Sequence, residues 1–181
     1  KLWNVVNNRC SGKKNFLGRM PCYSGVTNGF DDFQSFTDWC HTQGGYFQKE
    51  STGMFWQIDK DILYPGNKTY SQSTCCFVPG YVNSVLLTKR KEEKELPIGV
   101  KQCPRTGKWI SRILTKHLGL FPTIEEASAA WATAKSGIIE SVIQTYSEHE
   151  ASRVDVCEAL MLRVSHLKRC AEKGLPVYKL D

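Results

Sequence analysis

The chain has 181 residues, 41% of them hydrophobic, and a net charge of +6 from 24 Lys/Arg against 18 Asp/Glu. That gives room for one ordinary domain or two small ones, with enough apolar material for packed cores. No apolar run approaches the roughly 20 residues that cross a bilayer, and no secretory signal is visible, so a membrane protein is excluded and a cytoplasmic one is expected.

Residues 1–50 read as mainly helical and loop-like, with the Gly-, Asn- and Lys-rich stretch 11–30 as loop. Phe33, Phe36 and Trp39 recur every third residue, one face of a helix. Asp31 or Asp32 caps its start, and Gly44-Gly45 ends it. Apolar runs at 55–58 and 75–78 predict two short strands. Tyr64-Pro65-Gly66-Asn67 between them is a turn. From Gly80, the residues Tyr81, Val82, Val85 and Leu86 form a helical stripe. The charged run 88–95, closed by Pro97, reads as a linker.

Beyond the linker, Gly99-Val100-Lys101 starts a strand and Pro104–Gly107 is a turn. Residues 108–113 alternate, with Trp109, Ser111 and Ile113 on one face and Lys108, Ile110 and Arg112 on the other. Leu118–Phe121 is a third strand. Thr123 and Glu126 are spaced as a capping box for a helix with Ala127, Ala130, Trp131 and Ala134 on one side. Val154, Cys157, Leu160, Met161, Val164 and Leu167 space as a last amphipathic helix that stops near Gly174 and Pro176.

The charge is local. Residues 84–116 hold nine Lys/Arg and three Glu, an excess of +6 that equals the net charge of the whole chain. Such a stretch suits a surface that meets polyphosphate. The eight cysteines (10, 22, 40, 75, 76, 103, 157 and 170) include no Cys-x-x-Cys pair. They read as reduced, small core residues, the alternative being a zinc site gathered from Cys10, Cys22, Cys40 and His41.

The segment Trp56–Asn83 (WQIDKDILYPGNKTYSQSTCCFVPGYVN) carries the chemistry. Asp59 and Asp61 end the first apolar run, a Pro-Gly-Asn loop follows, and Asn83 lies on the helix after the second run. Alone, each has an ordinary reading: turn or cap for the two Asp, a turn Asn for Asn67, a helix-surface Asn for Asn83. Together they outline a ββα metal site. A hard cation that acts on a phosphodiester takes oxygen ligands and needs few from the protein, since substrate and water complete its shell. Asp59 and Asn83 have the types and placement for that role.

In these residues the chain resembles the HNH endonucleases, in particular those of phage homing type. Asp59 falls on the family's metal-binding Asp, Asn67 on the central Asn that pins the loop, Phe77-Val78 on the second strand and Asn83 on the metal-binding helix position. Lys60 stands where the family places its general-base His. Three explanations stay open: Asp61 or another side chain orients the water, Lys60 itself acts as the base, or the site only binds DNA. The resemblance implies catalytic residues Asp59, Lys60, Asp61, Asn67 and Asn83. It implies a divalent metal on Asp59 and Asn83 (Mg²⁺, or Mn²⁺ as the alternative), and phosphate contacts from Lys68 and Tyr70.

Gly99-Val100-Lys101, Gly107-Lys108-Trp109-Ile110, Leu118-Gly119 with Phe121 and Thr123, and Glu125-Glu126-Ala127 with Ala130 resemble the ethylene-response-factor (APETALA) type of DNA-binding domain. That implies a three-stranded sheet in the major groove, with Lys101, Arg105, Lys108, Trp109, Arg112 and Lys116 as contacts and Trp109 on either face. Lys89 and Arg90 in the linker join them. The expected organisation is α+β. Residues 1–88 form an HNH-like ββα-metal nuclease domain and 89–98 a basic linker. Residues 99–147 form a sheet-and-helix DNA-binding domain, and 148–181 a C-terminal helical extension. The implied function is metal-dependent hydrolysis of duplex DNA, by nick or double-strand break, in a phage-infected bacterial host. The alternative is a catalytically inactive, nuclease-derived, sequence-specific DNA-binding protein.

Overall fold

In the computed structural model, which describes residues 1–87 and 95–180 (Asn15 and Phe16 by backbone alone), the chain forms two units. The first comprises residues 1–83 and 149–156, the second 84–148 and 157–181. The chain is mixed α+β: helices and small sheets occur in both units, and no sheet closes into a barrel among the described residues. None of the described helices is long and apolar enough to cross a membrane.

The first unit opens with helices α1 (Leu2–Cys10) and α2 (Lys14–Leu17), strand β1 (Thr27–Asn28) and helix α3 (Phe33–Thr42). Asp32 is the cap of α3: its Oδ1 accepts from Ser35 N at 2.7 Å, and its own N donates to Ser35 Oγ at 3.1 Å. The buried stripe is Phe36, Trp39 and Cys40, while Phe33 is 58% exposed. Trp39 stacks on Phe77 with ring centroids 5.6 Å apart, joining α3 to the strand that carries Phe77. The loop after α3 passes so close to that core that a Cβ on Gly45 would lie 2.6 Å from the Trp56 ring, which only glycine avoids.

Strand β2 (Gln57–Asp59) pairs antiparallel with β4 (Cys76–Val78), placing Asp59 opposite Cys76. Between them β3 (Thr69–Tyr70) runs parallel to β1 instead. Helix α4 (Gly80–Val85) follows β4 directly, its first N–H donated by Gly80 to Glu50 Oε1 at 2.6 Å. Residues 149–156 join this unit from far along the chain. The His149 ring lies 4.7 Å from that of Trp56. Arg153 reaches both oxygens of Asp155 and, at 3.0 Å, Gln43 Oε1 beyond the end of α3.

In the second unit, β5 (Val100–Gln102), β6 (Trp109–Ile113) and β7 (Lys116–Phe121) form one antiparallel sheet in that order. Helix α5 (Ile124–Ser147) packs across it. Thr123 Oγ1 accepts from Glu126 N at 3.2 Å, the Thr half of the expected cap. Residues Ala127, Trp131, Lys135 and Ile139 are buried at four-residue spacing, next to Ser128, Ala132 and Ser136. The inward stripe is therefore more polar than the Ala-rich one expected. Lys135 Nζ donates to the Val85 carbonyl. Helix α6 (Val154–Glu172) is linked to α5 by Lys168 Nζ–Glu140 Oε1 at 2.6 Å. The tail is pinned by Val177, which accepts from Ile98 N at 2.8 Å and donates to Ser128 Oγ at 2.9 Å.

Candidate metal and nucleic-acid site

Alternation along β2 sets the site. Trp56 and Ile58 are 4% and 3% exposed and point into the core, so Gln57 and Asp59 share the opposite face. At the strand's end the chain turns sharply. Asp59 Oδ1 accepts from both Asp61 N and Ile62 N at 2.7 Å, which fixes the carboxylate. Its second oxygen, Oδ2, accepts no hydrogen bond among the described residues. Burial raises the Asp59 carboxyl above the ordinary carboxylate range, against the pull of those two N–H groups.

Lys60 turns the other way. It is 4% exposed, and its Nζ donates to Asp61 Oδ1 at 2.6 Å and to the Asn67 carbonyl at 2.7 Å. Asn67 answers: its Nδ2 donates to the carbonyls of Lys60 at 2.9 Å and Thr69 at 2.7 Å, and its Oδ1 accepts from Thr69 N at 3.1 Å. This reciprocal pair closes the Asp59–Thr69 loop on itself. Asp61 stays half-exposed, its side chain at 51%.

Asn83, on α4, donates its Nδ2 to Gln57 Oε1 at 2.7 Å. Through Gln57 it meets the same face of β2 as Asp59, one residue pair up the strand. With the amide so oriented, Asn83 Oδ1 has no partner among the described residues. One uncommitted carboxylate oxygen and one uncommitted amide oxygen are the donor types a hard divalent ion takes, so these residues fit the metal that the resemblance implies. No group of three or more His, Cys, Asp or Glu among the described residues could hold an ion. Cys10, Cys22, Cys40 and His41 are accordingly not gathered: Cys22 is exposed and Cys40 is buried. Burial pushes the Cys40 and Cys75 thiols up to about 12.

Behind the loop lies a cluster that no sequence pattern indicated. Tyr70 is 2% exposed, so its ring backs the loop from inside and does not lie on the surface. Its hydroxyl accepts from Arg9 Nη1 at 3.0 Å, and its ring lies 5.9 Å from Lys60 Nζ. Arg9 is also 5.2 Å from the centroid of Tyr23. Lys68 is exposed, its Nζ 3.3 Å from the Cys22 carbonyl. Neither histidine of the first unit faces Asp59: His41 packs on Tyr46 and Phe47, and His149 on Trp56, which points to the core side of β2.

In the second unit, Lys101, Arg105, Lys108, Arg112 and Lys116 are exposed. Lys101, Ile110 and Leu120 form a cross-strand row on the outer face of the sheet. Arg112 pairs with His117, because a register shift after Ser111 skips Leu118 and turns His117 outward. Trp109 lies on the α5 side with the buried Ser111 and Ile113, at half exposure, which settles its face. Lys89 and Arg90 lie outside the described residues.

The β6–β7 turn carries strain. Leu114 has φ +52° and is 88% exposed at the first of its two turn residues, where hairpin turns with a left-handed first position take Gly. Leu114→Gly is expected to stabilise the second unit by about 0.5–1 kcal/mol, measured by denaturant unfolding. A loss of stability would mean that the Leu114 side chain is held by contacts stronger than the strain.

Against known proteins, the chain gives no match to a protein-family model, to a curated protein or to a solved structure.

Proposed function

We propose that the protein is a metal-dependent DNA endonuclease of the HNH homing type, with the exposed cations on the outer sheet face of its second unit as the duplex-DNA reader. The observation that carries this reading is the Asp59 carboxylate: one oxygen is locked by two backbone N–H groups, the other is uncommitted, and Asn83 is oriented on the same strand face. Asp59 and Asn83 would hold the divalent ion, Mg²⁺ or Mn²⁺. When bound, it supplies charge neutralisation at the phosphate.

The chain's own residues supply the rest. Asn67 and Lys60 fix the loop that presents Asp59 and Asp61. Asp61, half-exposed and anchored by the Lys60 ammonium, is the carboxylate placed to orient water and accept its proton. Lys60 is committed as a donor on two sides, which suits a positioning residue rather than the base. The exposed Lys101, Lys108 and Arg112 on the outer face, with Arg105 and Lys116 at the turns that edge it, add phosphate contacts whose affinity falls steeply with salt.

A second reading, a nuclease-derived DNA-binding protein without catalysis, is favoured by one observation. Lys60 occupies the place of the expected His, and neither His41 nor His149 turns toward Asp59. Plasmid cleavage with Mg²⁺ or Mn²⁺ separates the two. Wild type should nick or cut, and Asn83→Ala should cut at least about 10-fold more slowly while binding DNA as well. Absence of cleavage on DNA the protein demonstrably binds would leave only the second reading.

A further inference from the structure

We infer that Arg9 is a phosphate-binding residue of this site, its guanidinium taking a non-bridging oxygen of the DNA phosphate presented to Asp59. The inference rests on the nuclease reading and goes beyond it, since Arg9 lies on α1, far outside the Trp56–Asn83 segment.

Three observations place the side chain. First, α1 is held at this spot: Asn7 Oδ1 accepts from Asn28 Nδ2 at 2.8 Å, and β1, which carries Asn28, pairs with β3, which carries Tyr70. Second, the guanidinium is oriented on three sides, by the Tyr23 ring at 5.2 Å, the Tyr70 ring at 6.0 Å and the Tyr70 hydroxyl at 3.0 Å. Third, only Nη1 is used. The other N–H groups of the fork meet no acceptor among the described residues, and none of its nitrogens is a buried orphan, so they face solvent. A cation in the last turn of a helix is favoured by the helix dipole alone, but that requires neither two aromatic faces nor a hydroxyl brace.

Charge supports the assignment. The Lys60 ammonium is already matched by Asp61 at 2.6 Å, so it brings no surplus charge. The Tyr70 ring ties Arg9 to the Asp59 loop, 6.0 Å from the guanidinium and 5.9 Å from Nζ of Lys60, the neighbour of Asp59. A phosphodiester beside Asp59 meets carboxylate repulsion, and Arg9 is the braced cation with donors left to offset it. A guanidinium is suited to that task because its planar fork binds two oxygens at once.

The test uses the full chain and a short DNA duplex in metal-free buffer. Removing one phosphate contact should make the slope of log K against log salt shallower by about 0.9. Arg9→Met is expected to show that change and to lose about 100-fold in Mn²⁺-dependent plasmid cleavage. Arg9→Lys, which keeps the charge, should retain the slope and recover part of the rate. The far-ultraviolet circular dichroism and thermal midpoint of Arg9→Met should match wild type; the slope is read on protein that passes this check, and Tyr70→Phe, which removes only the brace, serves as the milder variant if Arg9→Met does not. An unchanged slope in the folded variant overturns the inference, even if wild type cleaves. A changed slope with no cleavage by wild type upholds the phosphate contact and rejects the nuclease reading.

Discussion

Asp59→Asn is expected to lower metal-dependent cleavage by at least about 10³-fold and, at pH 7, to make the first unit more stable. Both effects come from the same burial. Asparagine keeps an Oδ1 that can accept from Asp61 N and Ile62 N, so the turn survives. What it removes is a carboxylate whose ionised form burial disfavours. The folded carboxyl titrates above its unfolded value, so the folded state binds more protons across that window. Its contribution to stability is therefore greatest below the unfolded pKa and is lost as pH rises through the folded pKa. The melting difference between Asp59→Asn and wild type should be small near pH 4, grow as pH rises and level off once Asp59 is ionised in the folded protein. Mn²⁺ offers a readout independent of cleavage: it should raise the wild-type melting temperature and leave Asp59→Asn unmoved, because a ligand stabilises only the state that binds it. Equal Mn²⁺ shifts in both proteins, or cleavage by Asp59→Asn within 10-fold of wild type, would remove Asp59 from the metal site. A residue that lowers stability where it serves chemistry is the usual compromise at functional positions.

The parts of this arrangement that were legible in the sequence are local ones. A cap at Asp32, a turn at Tyr64–Asn67, the alternation of 109–113 and the Thr123 start of α5 are each set by a few neighbouring residues. Asn67 is legible for the same reason, since its three bonds fall within eight residues. What was hidden depends on contacts across the chain. Arg9 reaches Tyr70 over 61 positions, and Arg153 reaches Gln43 over 110. No periodicity encodes either. Tyr70 looked like an exposed loop residue because its two-residue strand is too short to show alternation, and only its parallel pairing with β1 turns it inward. His117 gave no signal because its outward position comes from one skipped residue in β7, a shift of register that flips a side chain to the other face. The polar residues in the buried stripe of α5 gave no signal either: Ser128 meets the tail and Lys135 the end of α4, both far away in sequence.

Lys60→Met should decide what replaces the expected histidine. The variant keeps most of the buried stem and removes the ammonium. The Asn67 carbonyl then loses its donor, and Asp61 loses its anchor. An unmatched carbonyl in a closed loop costs on the order of 1–2 kcal/mol, while half-exposed Asp61 rehydrates. Cleavage is expected to fall about 10- to 100-fold, because the loop loosens and Asp61 loses the ammonium that orients it. The shape of the pH–rate profile should persist, since the group that accepts the proton remains. Asp61→Asn should behave differently: it removes the proton acceptor itself and should abolish cleavage. A Lys60 that served as the base would give the opposite pattern: Lys60→Met would lose the pH dependence, and Lys60→Arg, a donor that does not deprotonate, would be as inactive as Lys60→Met. As a positioning residue, Lys60 can be replaced by Arg wherever the guanidinium still reaches Asp61, so partial recovery of cleavage in Lys60→Arg places proton transfer on the carboxylate and leaves the lysine the task of holding it.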